Sequence, residues 1–472
     1  MSVAQLTDRL RALLGGRDPA WLALPAGLAA AAGAFFLLPL PGPMRSMLAV
    51  TLFAVSLWIT TPVPPWFTAL LAVGLIGVTF SSELALVGFQ SPATWLIVFG
   101  ILIGEATRDS GVADLIERSA LAGVPDRALG DPVATYRILL VGLSFAALAF
   151  AVLVPSALVR VLILGPILIS IGEVFEEERP RMGVFLGPLF ATYYGSSGVL
   201  TGALPNIVIT GIVESTAGLA ISWTEWALWL GPVMGFGRTL AVIGIAYALY
   251  RPTDPTGSVE TRSADRGQGL SGTEKRMLAF LLVGVLVWGT DAIHGLHPVY
   301  GALLVVLAAF APRIGVVGMD AAADADYTVI FFMGAIFAIA AGLQQTGFTD
   351  LAAEELLAAV PADASLALVL LGVTASALAL ALLMEGLAVA SVLTPTLVSF
   401  VEAAGVPLEP VVFVEAIALN TYFFPYQSAV MVAILSLGFV DVRELVRMAT
   451  LASLATLLIL LPIQIALFMV LF

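Results

Sequence analysis

Three charged residues lie inside long apolar stretches of the sequence, where an unpaired charge is costly. Arg160 follows a Val-Pro-Ser interruption, Glu385 lies in a Met-Glu-Gly interruption, and Glu415 precedes an Asn-Thr-Tyr interruption by five residues. An ionisable group at membrane depth marks a substrate or ion site by default. Arg160 is expected to bind an anionic substrate or a carboxylate, or else to form a structural ion pair. Glu385 would pair with Arg160 or carry a coupling proton. Glu415 is expected to be either a proton site or a carboxylate whose hydrogen bonds are satisfied where two helices pack.

Four irregular segments interrupt the apolar stretches, and they occur in two matched pairs. Residues 154–160 and 384–388 have the pattern of hairpin tips, whereas residues 195–206 and 420–428 have the pattern of breaks within spanning helices. Glycine, proline and asparagine at such places free backbone groups, which is tolerated where a segment lines a cavity. A hairpin tip also presents the positive end of its returning helix, which attracts anions. Two tips that face two breaks therefore predict a polar pocket at mid-depth for a small anion.

The elements that position these segments are expected to be membrane-spanning helices. With 60% hydrophobic residues, 11% charged residues and a mean hydropathy of +1.04, the chain is too apolar for a water-soluble globule. Lipid cannot pair backbone polar groups, so apolar runs of about 20 residues must be helices. We therefore predict an all-α polytopic membrane protein of about eleven transmembrane helices. Two further stretches, residues 138–173 and 363–400, are too long for one crossing and are predicted to be re-entrant hairpins.

The distribution of basic residues supports this layout. Arginine and lysine collect in cytoplasmic connections of membrane proteins. With the N-terminus in the cytoplasm, the predicted cytoplasmic segments and helix ends hold seventeen of the twenty basic residues. Making either long stretch a single crossing would reverse everything after it and destroy this bias. The sequence therefore predicts a multi-pass protein of a prokaryotic plasma membrane, with a cytoplasmic N-terminus and a C-terminus outside.

The two halves of the chain resemble each other. Five pairs of similar residues occur in the same order with offsets of 230, 233, 236, 229 and 220, namely Trp58 and Trp288, Ala69 and Ala302, Asp109 and Gln345, Pro166 and Pro395, and Pro205 and Pro425. Each half would hold five crossings and one hairpin, so the second copy would be inverted in the membrane. Inverted repeats are typical of secondary transporters with a site near the midplane.

This repeat predicts the domain organisation. The chain divides into a cytoplasmic N-terminal segment, a first scaffold helix, a first inverted repeat, a cytoplasmic linker and a second inverted repeat, at residues 1–20, 21–45, 46–250, 251–275 and 276–472. The first repeat contains the hairpin at residues 138–173 and a broken helix at residues 183–219. The second contains the hairpin at residues 363–400 and a broken helix at residues 411–435.

Several chemistries are excluded or disfavoured by the composition. The chain has no cysteine, which excludes disulfides and thiolate chemistry, and its two histidines, His294 and His297, lie in a short connection where a structural role is expected. No phosphate-binding glycine loop with lysine occurs, so energy must come from a gradient rather than from ATP. Neither an intramembrane enzyme nor nucleic-acid binding is indicated. The net charge of -13, with one lysine, indicates a salt-adapted organism.

The segments resemble the divalent-anion:sodium symporter family, solute carrier family thirteen, within the wider ion-transporter superfamily. The resemblance covers nearly the whole chain and is clearest at residues 195–206, a glycine-rich loop that ends in Pro-Asn, and at Phe424-Pro425-Tyr426-Gln427. It implies a homodimer in which each protomer has a scaffold and a mobile transport domain, working as an elevator-type transporter. It also implies dicarboxylate, citrate or sulfate substrates in symport with sodium. No cofactor is implied other than bound sodium.

The resemblance also implies site residues. Substrate binding would involve Arg160 and Glu385 together with residues that match the family pattern, namely Ser156, Thr201, Pro205, Asn206, Thr421, Pro425, Tyr426 and Gln427. Ion binding or coupling would involve a second, overlapping set, namely Ser156, Gly198, Asn206, Glu385, Glu415 and Asn420.

The sequence departs from the family at both hairpin tips. Family members carry Ser-Asn-Thr there, whereas this chain has Ser156-Ala157-Leu158 and Glu385-Gly386-Leu387. The fixed charge of Arg160 could replace one bound sodium, which would favour exchange or uniport, while Glu385 could make the proton the coupling ion. Two alternative functions stay open, a cation/proton antiporter or arsenite-type permease of the same superfamily and a non-transporting membrane receptor or scaffold.

Overall fold

The computed structural model describes most of the chain, namely residues 23–60, 62–112, 115, 118, 119, 125, 131–253, 269–361 and 364–472. The predicted cytoplasmic segment 1–20 lies outside the described residues, as does most of the predicted linker 251–275. Every regular element within the described ranges is helical. The predicted all-α class is therefore confirmed.

Within the described ranges, eleven α-helices precede the linker. They are α1 (Ala23–Leu37), α2 (Gly42–Thr60), α3 (Pro65–Thr79), α4 (Ser82–Gln90), α5 (Pro92–Asp109), α6 (Pro132–Leu153), α7 (Ala157–Gly172), α8 (Glu178–Tyr194), α9 (Leu204–Ala217), α10 (Trp223–Leu230) and α11 (Arg238–Tyr250). Most begin at a proline or at a capping serine or aspartate, which sets the first turn. Asp131, for example, accepts hydrogen bonds from the first amides of α6, directly before Pro132.

The remaining α-helices follow the linker. They are α12 (Gly272–Gly289), α13 (Asp291–His294), α14 (Pro298–Phe310), α15 (Asp320–Ala323), α16 (Val329–Gln345), α17 (Phe348–Ala359), α18 (Leu366–Ala381), α19 (Gly386–Ala404), α20 (Leu408–Leu419), α21 (Ala429–Ser436), α22 (Val442–Ala455) and α23 (Leu461–Leu471). The hydropathy pattern did not predict the short helices α4 and α17.

Many of the helices are apolar enough to cross a membrane. By length and composition, five helical stretches of the described residues qualify, or up to seven if each bent pair forms one span, and they include Pro132–Leu153, Trp223–Tyr250 and Val442–Leu471. Further apolar helices such as α3 and α14 are shorter. The chain is thus a multi-pass membrane protein, and the count of eleven crossings stays a prediction.

The two predicted hairpins coincide with two helix pairs. In the first, α6 ends at Leu153 and α7 begins after Ser156; in the second, α18 ends at Ala381 and α19 begins after Glu385. Pro166 and Pro395 both lie inside the returning helix. The side of the membrane from which each pair enters stays a prediction.

The two predicted helix breaks coincide with short irregular segments. Between α8 and α9 the chain forms two turns of 3₁₀ helix, Gly195–Gly198 and Leu200–Gly202, joined by the extended residue Val199. Between α20 and α21 it forms one, Pro425–Gln427. A segment of π-helix, Gly231–Gly237, joins α10 to α11 and packs against the first break. The close approach needs glycine, because a Cβ at Gly198 would lie 2.5 Å from the amide nitrogen of Gly235.

We divide the helices around the irregular segments into two groups, which contact each other where α16 packs on α19 and where α5 packs on α9. One group contains α2 to α5, α12, α14 and α16; the other contains α6 to α11 and α18 to α22. Small residues bring the groups close together where α5 meets α7 and α9. A Cβ at Gly104 would lie 2.9 Å from both methyl groups of Val159, and one at Gly211 would lie 2.5 Å from Cβ of Ala93.

The two histidines, for which a structural role was predicted, form hydrogen bonds with backbone groups. His294 accepts a hydrogen bond from the amide of Leu296, and His297 caps α14 by accepting one from the amide of Val299. Nε2 of His297 lies 3.6 Å from the carboxylate of Glu214 at the end of α9. Burial lowers the pKa of His297, and the Glu214 carboxylate opposes that shift.

One buried carboxylate joins the two halves of the chain. Asp291, only 4% exposed, accepts hydrogen bonds from the amides of Trp223 and Thr224 at 2.6 and 3.3 Å and from the Thr224 hydroxyl at 2.5 Å. The indole of Trp223 stacks on that of Trp288, with centroids 6.3 Å apart. Asp291 therefore caps the positive end of α10 from the other half of the molecule.

We expect Asp291→Ala to lower the free energy of unfolding by about 1–3 kcal/mol, because it leaves the first amides of α10 unpaired. Thermal denaturation of the purified protein in detergent measures this. Asp324→Ala, at an exposed carboxylate, is the matched control and should change stability little. Equal effects of the two substitutions would contradict the capping role.

Candidate functional site

The tip of the first hairpin is tied to the first break by Arg160. This arginine is fully buried. Its guanidinium donates to the Val154 carbonyl at 2.6 Å, to the Gly202 carbonyl at 2.9 Å, and to both the carbonyl and the hydroxyl of Thr192 at 2.9 Å. Ser156 caps α7 by accepting from the Val159 amide. Four of the five guanidinium protons are thus used within the tip and the break.

The predicted Pro-Asn motif lies at the end of the first break, where α9 begins. Pro205 lies in the first turn of α9, where its missing N–H costs nothing. The side-chain amide of Asn206 donates to the carbonyls of Ser197 and Val199 at 3.2 and 2.9 Å. Thr201 accepts a hydrogen bond from the indole of Trp223 at 3.1 Å. The Asn206 bonds thus hold carbonyls of the break, while the bond from Trp223 joins two side chains.

In the second half of the chain, Gln427 forms hydrogen bonds with backbone groups in the same way. Its side-chain oxygen accepts from the amides of Phe423 and Phe424 at 2.7 and 2.9 Å, and its side-chain nitrogen donates to the carbonyl of Ala381 at 2.9 Å. The hydroxyl of Tyr426, a residue that is 59% exposed, donates a hydrogen bond to the carbonyl of Leu382. The two donated bonds end on Ala381, the last residue of α18, and on Leu382, which follows it, so the second break is tied to the tip of the second hairpin.

The two breaks are joined directly. Asn420, at the start of the second break, donates from its side-chain nitrogen to the side-chain oxygen of Asn206 at 2.8 Å. Both side chains are buried, at 2% and 0% exposure. Asn206 therefore uses its nitrogen within its own break and its oxygen for the other break. This pair brings two residues together that lie 214 positions apart.

Arg238, at the start of α11, also joins the breaks. Its guanidinium donates to the Ser197 hydroxyl at 2.8 Å in the first break, and to the Asn420 carbonyl and the Thr421 hydroxyl at 3.1 and 3.0 Å in the second. It also donates to the carbonyl of Ile417 at 3.2 Å. The guanidinium carbon lies 6.0 Å from the ring centre of Tyr194, a cation–π contact.

A cavity of about 900 Å³ borders both breaks. The helices α9 and α19 begin at its wall, at Leu204 and Glu385, and neither has a side-chain cap. A third helix, α21, begins there at Ser428. The uncapped amides of a helix N-terminus, with the positive end of the helix dipole, attract anions. The volume is in the range of small-molecule sites.

Glu385 lines this cavity at the N-cap position of α19. Among the described residues its carboxylate has no hydrogen-bond partner, and it forms no ion pair with Arg160, whose donors bind Val154, Thr192 and Gly202. Asp326 is the other acidic residue in the lining. A bound anion would therefore lie between positive helix ends and one or two carboxylates.

Glu415 lies apart from the cavity, within the contact between α19 and α20. It is fully buried, and one carboxylate oxygen accepts a hydrogen bond from the hydroxyl of Thr394 at 2.8 Å. The other oxygen is buried without a partner within the described part of the chain. Its predicted part in ion coupling stays a prediction.

The structure brings most of the predicted residues into one connected cluster. Two of them, Arg160 and Asn206, serve mainly to pair backbone groups, and Gly198 serves close packing. Further members of the cluster were not among the predicted site residues, namely Thr192, Ser197, Trp223, Arg238 and Tyr422, whose hydroxyl donates to the side-chain oxygen of Asn420. Arg238 carried a usable signal, a charge within an apolar span. Nowhere in the described ranges do three or more His, Asp or Glu side chains form a group that could hold a metal ion.

The sequence matches a family model over nearly its full length. The model for the sodium:sulfate symporter transmembrane region covers residues 20–472. Among curated proteins, an L-tartrate/succinate antiporter of Escherichia coli UTI89 is 25% identical over 363 residues, which are 70% of each chain. The antiporter of Shigella boydii serotype 4 is 25% identical over 333 residues, which are 66% of this chain and 63% of that one.

A solved structure shares the fold. The chain resembles the crystal structure of the Alcanivorax borkumensis YdaH transporter, described as having an unusual topology, with a TM-score of 0.52. The sequences are 14% identical, and the match covers 90% of this chain and 98% of that one. At this identity the likeness concerns the fold alone.

We expect Gln427→Glu to reduce transport by at least about tenfold, because the carboxylate loses the donor to Ala381 and places a charge beside that carbonyl. The acceptor oxygen for the amides of Phe423 and Phe424 is kept. The rate of anion uptake into proteoliposomes of equal protein content measures the effect. Gln345→Glu makes the same change at an exposed position and should leave uptake unchanged. Normal uptake by Gln427→Glu would show that this tie is dispensable.

Proposed function

This chain belongs to the sodium:sulfate symporter family, a family of membrane transporters rather than enzymes, and on that premise we propose that it exchanges small carboxylates across the membrane. The observation that carries the proposal is the cavity of about 900 Å³ at which the uncapped helices α9 and α19 begin. Their amides and dipoles would bind the carboxylate groups of the substrate. We place the substrate in the dicarboxylate, citrate or sulfate class, and favour dicarboxylates because the matched relatives carry tartrate and succinate.

Exchange accords better with the site than coupled uptake of substrate with a cation. The matched relatives are antiporters, and both family Ser-Asn-Thr tips are altered in this chain to Ser156-Ala157-Leu158 and Glu385-Gly386-Leu387. In an exchanger, the carrier crosses the membrane in each direction with an anion bound. The gradients of the two exchanged anions supply the energy. A coupling proton on Glu385 is the alternative, and it would make uptake rise as the pH falls.

The movement that we propose is an elevator motion of one helix group against the other. The group with α6 to α11 and α18 to α22 holds the breaks, both hairpins and Arg238, so it would carry the substrate. The contacts at Gly104 and Gly211 leave the interface free of protruding side chains on those faces of α5 and α9. We further propose a homodimer in a prokaryotic plasma membrane, with the N-terminus in the cytoplasm and the C-terminus outside.

Counterflow tests the proposed exchange. Proteoliposomes loaded with unlabelled succinate should take up labelled succinate at least about tenfold faster than empty ones, because an empty carrier returns slowly. The rates measured with internal sulfate, citrate or tartrate in place of succinate then rank these anions as substrates. Equal uptake into loaded and empty vesicles would contradict exchange, and an absence of uptake for all four anions under every gradient would contradict carboxylate transport.

We expect Gly104→Val to slow transport at least about tenfold while the protein still folds, because the new methyl groups would collide with Val159 across the interface. Gly142→Val is the matched control, since a Cβ at Gly142 meets nothing within 4 Å. Counterflow rates and size-exclusion profiles of both variants measure the effect. A Gly104→Val protein that transports at the normal rate would argue against motion at this contact.

A further inference from the structure

A second cavity, of about 400 Å³, lies against the second hairpin. The helices α18 and α19 form two of its walls, and the end of α17 with the two residues after it forms the third. The lining residues are Leu356, Val360, Pro361, Leu368, Val369, Gly372, Val373, Ser376, Leu393, Leu397 and Phe400. Within this lining only Ser376 has a polar side chain. No residue of this lining borders the larger cavity at the helix breaks, so the two cavities are distinct.

The spacing of the lining residues makes this cavity a groove between two helices. On α18 they recur every three or four positions, and so they do on α19, which places each set on one helix face. Val373 and Leu397, at 7% and 2% exposure, form part of its floor, whereas Leu368, at 49%, forms part of its rim. From Leu368 to Ser376 the groove is roughly 12 Å long, close to the roughly 15 Å of half a bilayer's hydrocarbon core.

Gly372 keeps the middle of the groove open. It lies in the interior of α18, where glycine costs roughly 1 kcal/mol relative to alanine. Helix packing does not require glycine here, because a Cβ at this position meets no heavy atom within 4 Å. A larger side chain would therefore extend into the groove without displacing its walls.

The charge around the groove is negative. Between Arg313 and Arg443 the sequence contains neither lysine nor arginine. The helix α17, which forms one wall, carries three exposed carboxylates, those of Asp350, Glu354 and Glu355. An anionic lipid headgroup at this place would meet like charges, whereas an ammonium group would meet carboxylates.

The open side of the groove lies in a membrane-embedded part of the chain. The helix α18 is apolar, and Leu368 and Leu371 on its outer face are 49% and 47% exposed. In a bilayer the medium at such a face is hydrocarbon. We propose that the groove binds one acyl chain of a phosphatidylethanolamine lipid, with the ammonium headgroup beside the carboxylates of α17. Three protein walls hold this chain, unlike the chains of lipids that only border the protein surface.

The position of the groove also connects the bound lipid with the proposed movement, and this step rests on the proposed function. The helix α17 follows α16 of the first helix group across a bend of 73°, whereas α18 and α19 belong to the second group. The hydroxyl of Ser399 on α19 donates to that of Thr349 on α17 at 3.2 Å. An acyl chain in the groove contacts both sides of this boundary, so the rate of exchange should depend on the lipid.

Photo-crosslinking tests the binding without requiring transport. The protein is reconstituted in phosphatidylglycerol vesicles that contain a trace of phosphatidylethanolamine with a diazirine on its acyl chain, and the adducts are mapped by peptide mass spectrometry. We expect adducts on the lining residues of α18 and α19 at least about fivefold above those on other lipid-facing helices. Unlabelled phosphatidylethanolamine should compete, and further phosphatidylglycerol should not. Adducts spread evenly over the surface, or equal competition by both lipids, would overturn the proposal.

A substitution that fills the groove locates the site. Gly372→Leu should lower the adducts on α18 and α19 at least about fivefold. Gly142→Leu is the matched control, because a Cβ at Gly142 also meets nothing within 4 Å. Gly142 lies on α6 of the first hairpin, 230 positions before Gly372, the offset that also separates Trp58 from Trp288. If both variants keep the wild-type adducts, the groove is not the site.

Thermal unfolding provides a second binding measurement. The detergent should have a rigid steroid body, because an alkyl chain would itself occupy the groove. Added phosphatidylethanolamine should raise the Tm of the wild-type protein and of Gly142→Leu by several degrees, and that of Gly372→Leu by less. Equal increases for all three proteins would contradict binding in the groove. If Gly372→Leu does not fold, the competition between the two lipids on the wild-type protein still decides.

Counterflow tests the connection with movement. Succinate counterflow by the wild-type protein should differ at least about threefold between vesicles with and without phosphatidylethanolamine. Gly372→Leu should lose this difference and Gly142→Leu should keep it. Equal wild-type rates in both vesicles would reject the connection with movement. An absence of counterflow with any anion, together with adducts in the groove, would reject the proposed function and leave the lipid site intact.

Discussion

The structure depends on how interrupted helices pair their backbone groups away from water. Each break leaves carbonyls and amides without helical partners, and lipid offers none. The chain supplies them from side chains: Asn206 for the first break, Gln427 for the second, and two buried arginines for the negative ends of the helices. The hairpin tips are held by the same bonds. A pocket with irregular backbone can therefore exist at depth only because these few side chains are placed together.

The sequence was informative about where the backbone is irregular and less so about what stabilises it. Glycine, proline and asparagine within apolar spans predicted both breaks and both tips, because these residues act locally on the backbone. The partners of the freed carbonyls come from distant helices, and hydropathy does not show which way a side chain on a spanning helix points. Arg238 is the clearest case, since its bonds to Ser197 and Thr421 depend on the packing of three helices.

Arg160 shows a second limit of sequence reasoning. A buried arginine beside a hairpin tip suggests an anionic ligand, and an anion site was predicted there. In the structure its donors bind backbone carbonyls and a hydroxyl, and the positive ends of α9 and α19 border the cavity instead. An arginine surrounded by carbonyls and an arginine beside a carboxylate have the same hydropathy, so only the geometry separates them.

The hydrogen bond between Asn206 and Asn420 has a consequence for synthesis of the protein. The residues lie 214 positions apart, and Arg238 likewise bonds to residues of the second break. When the first half has been inserted into the membrane, the side-chain oxygen of Asn206 and much of the Arg238 guanidinium still have no partner. The first break can therefore reach its final shape only after the second half has followed. Until then these groups need another polar partner, such as water or a lipid headgroup.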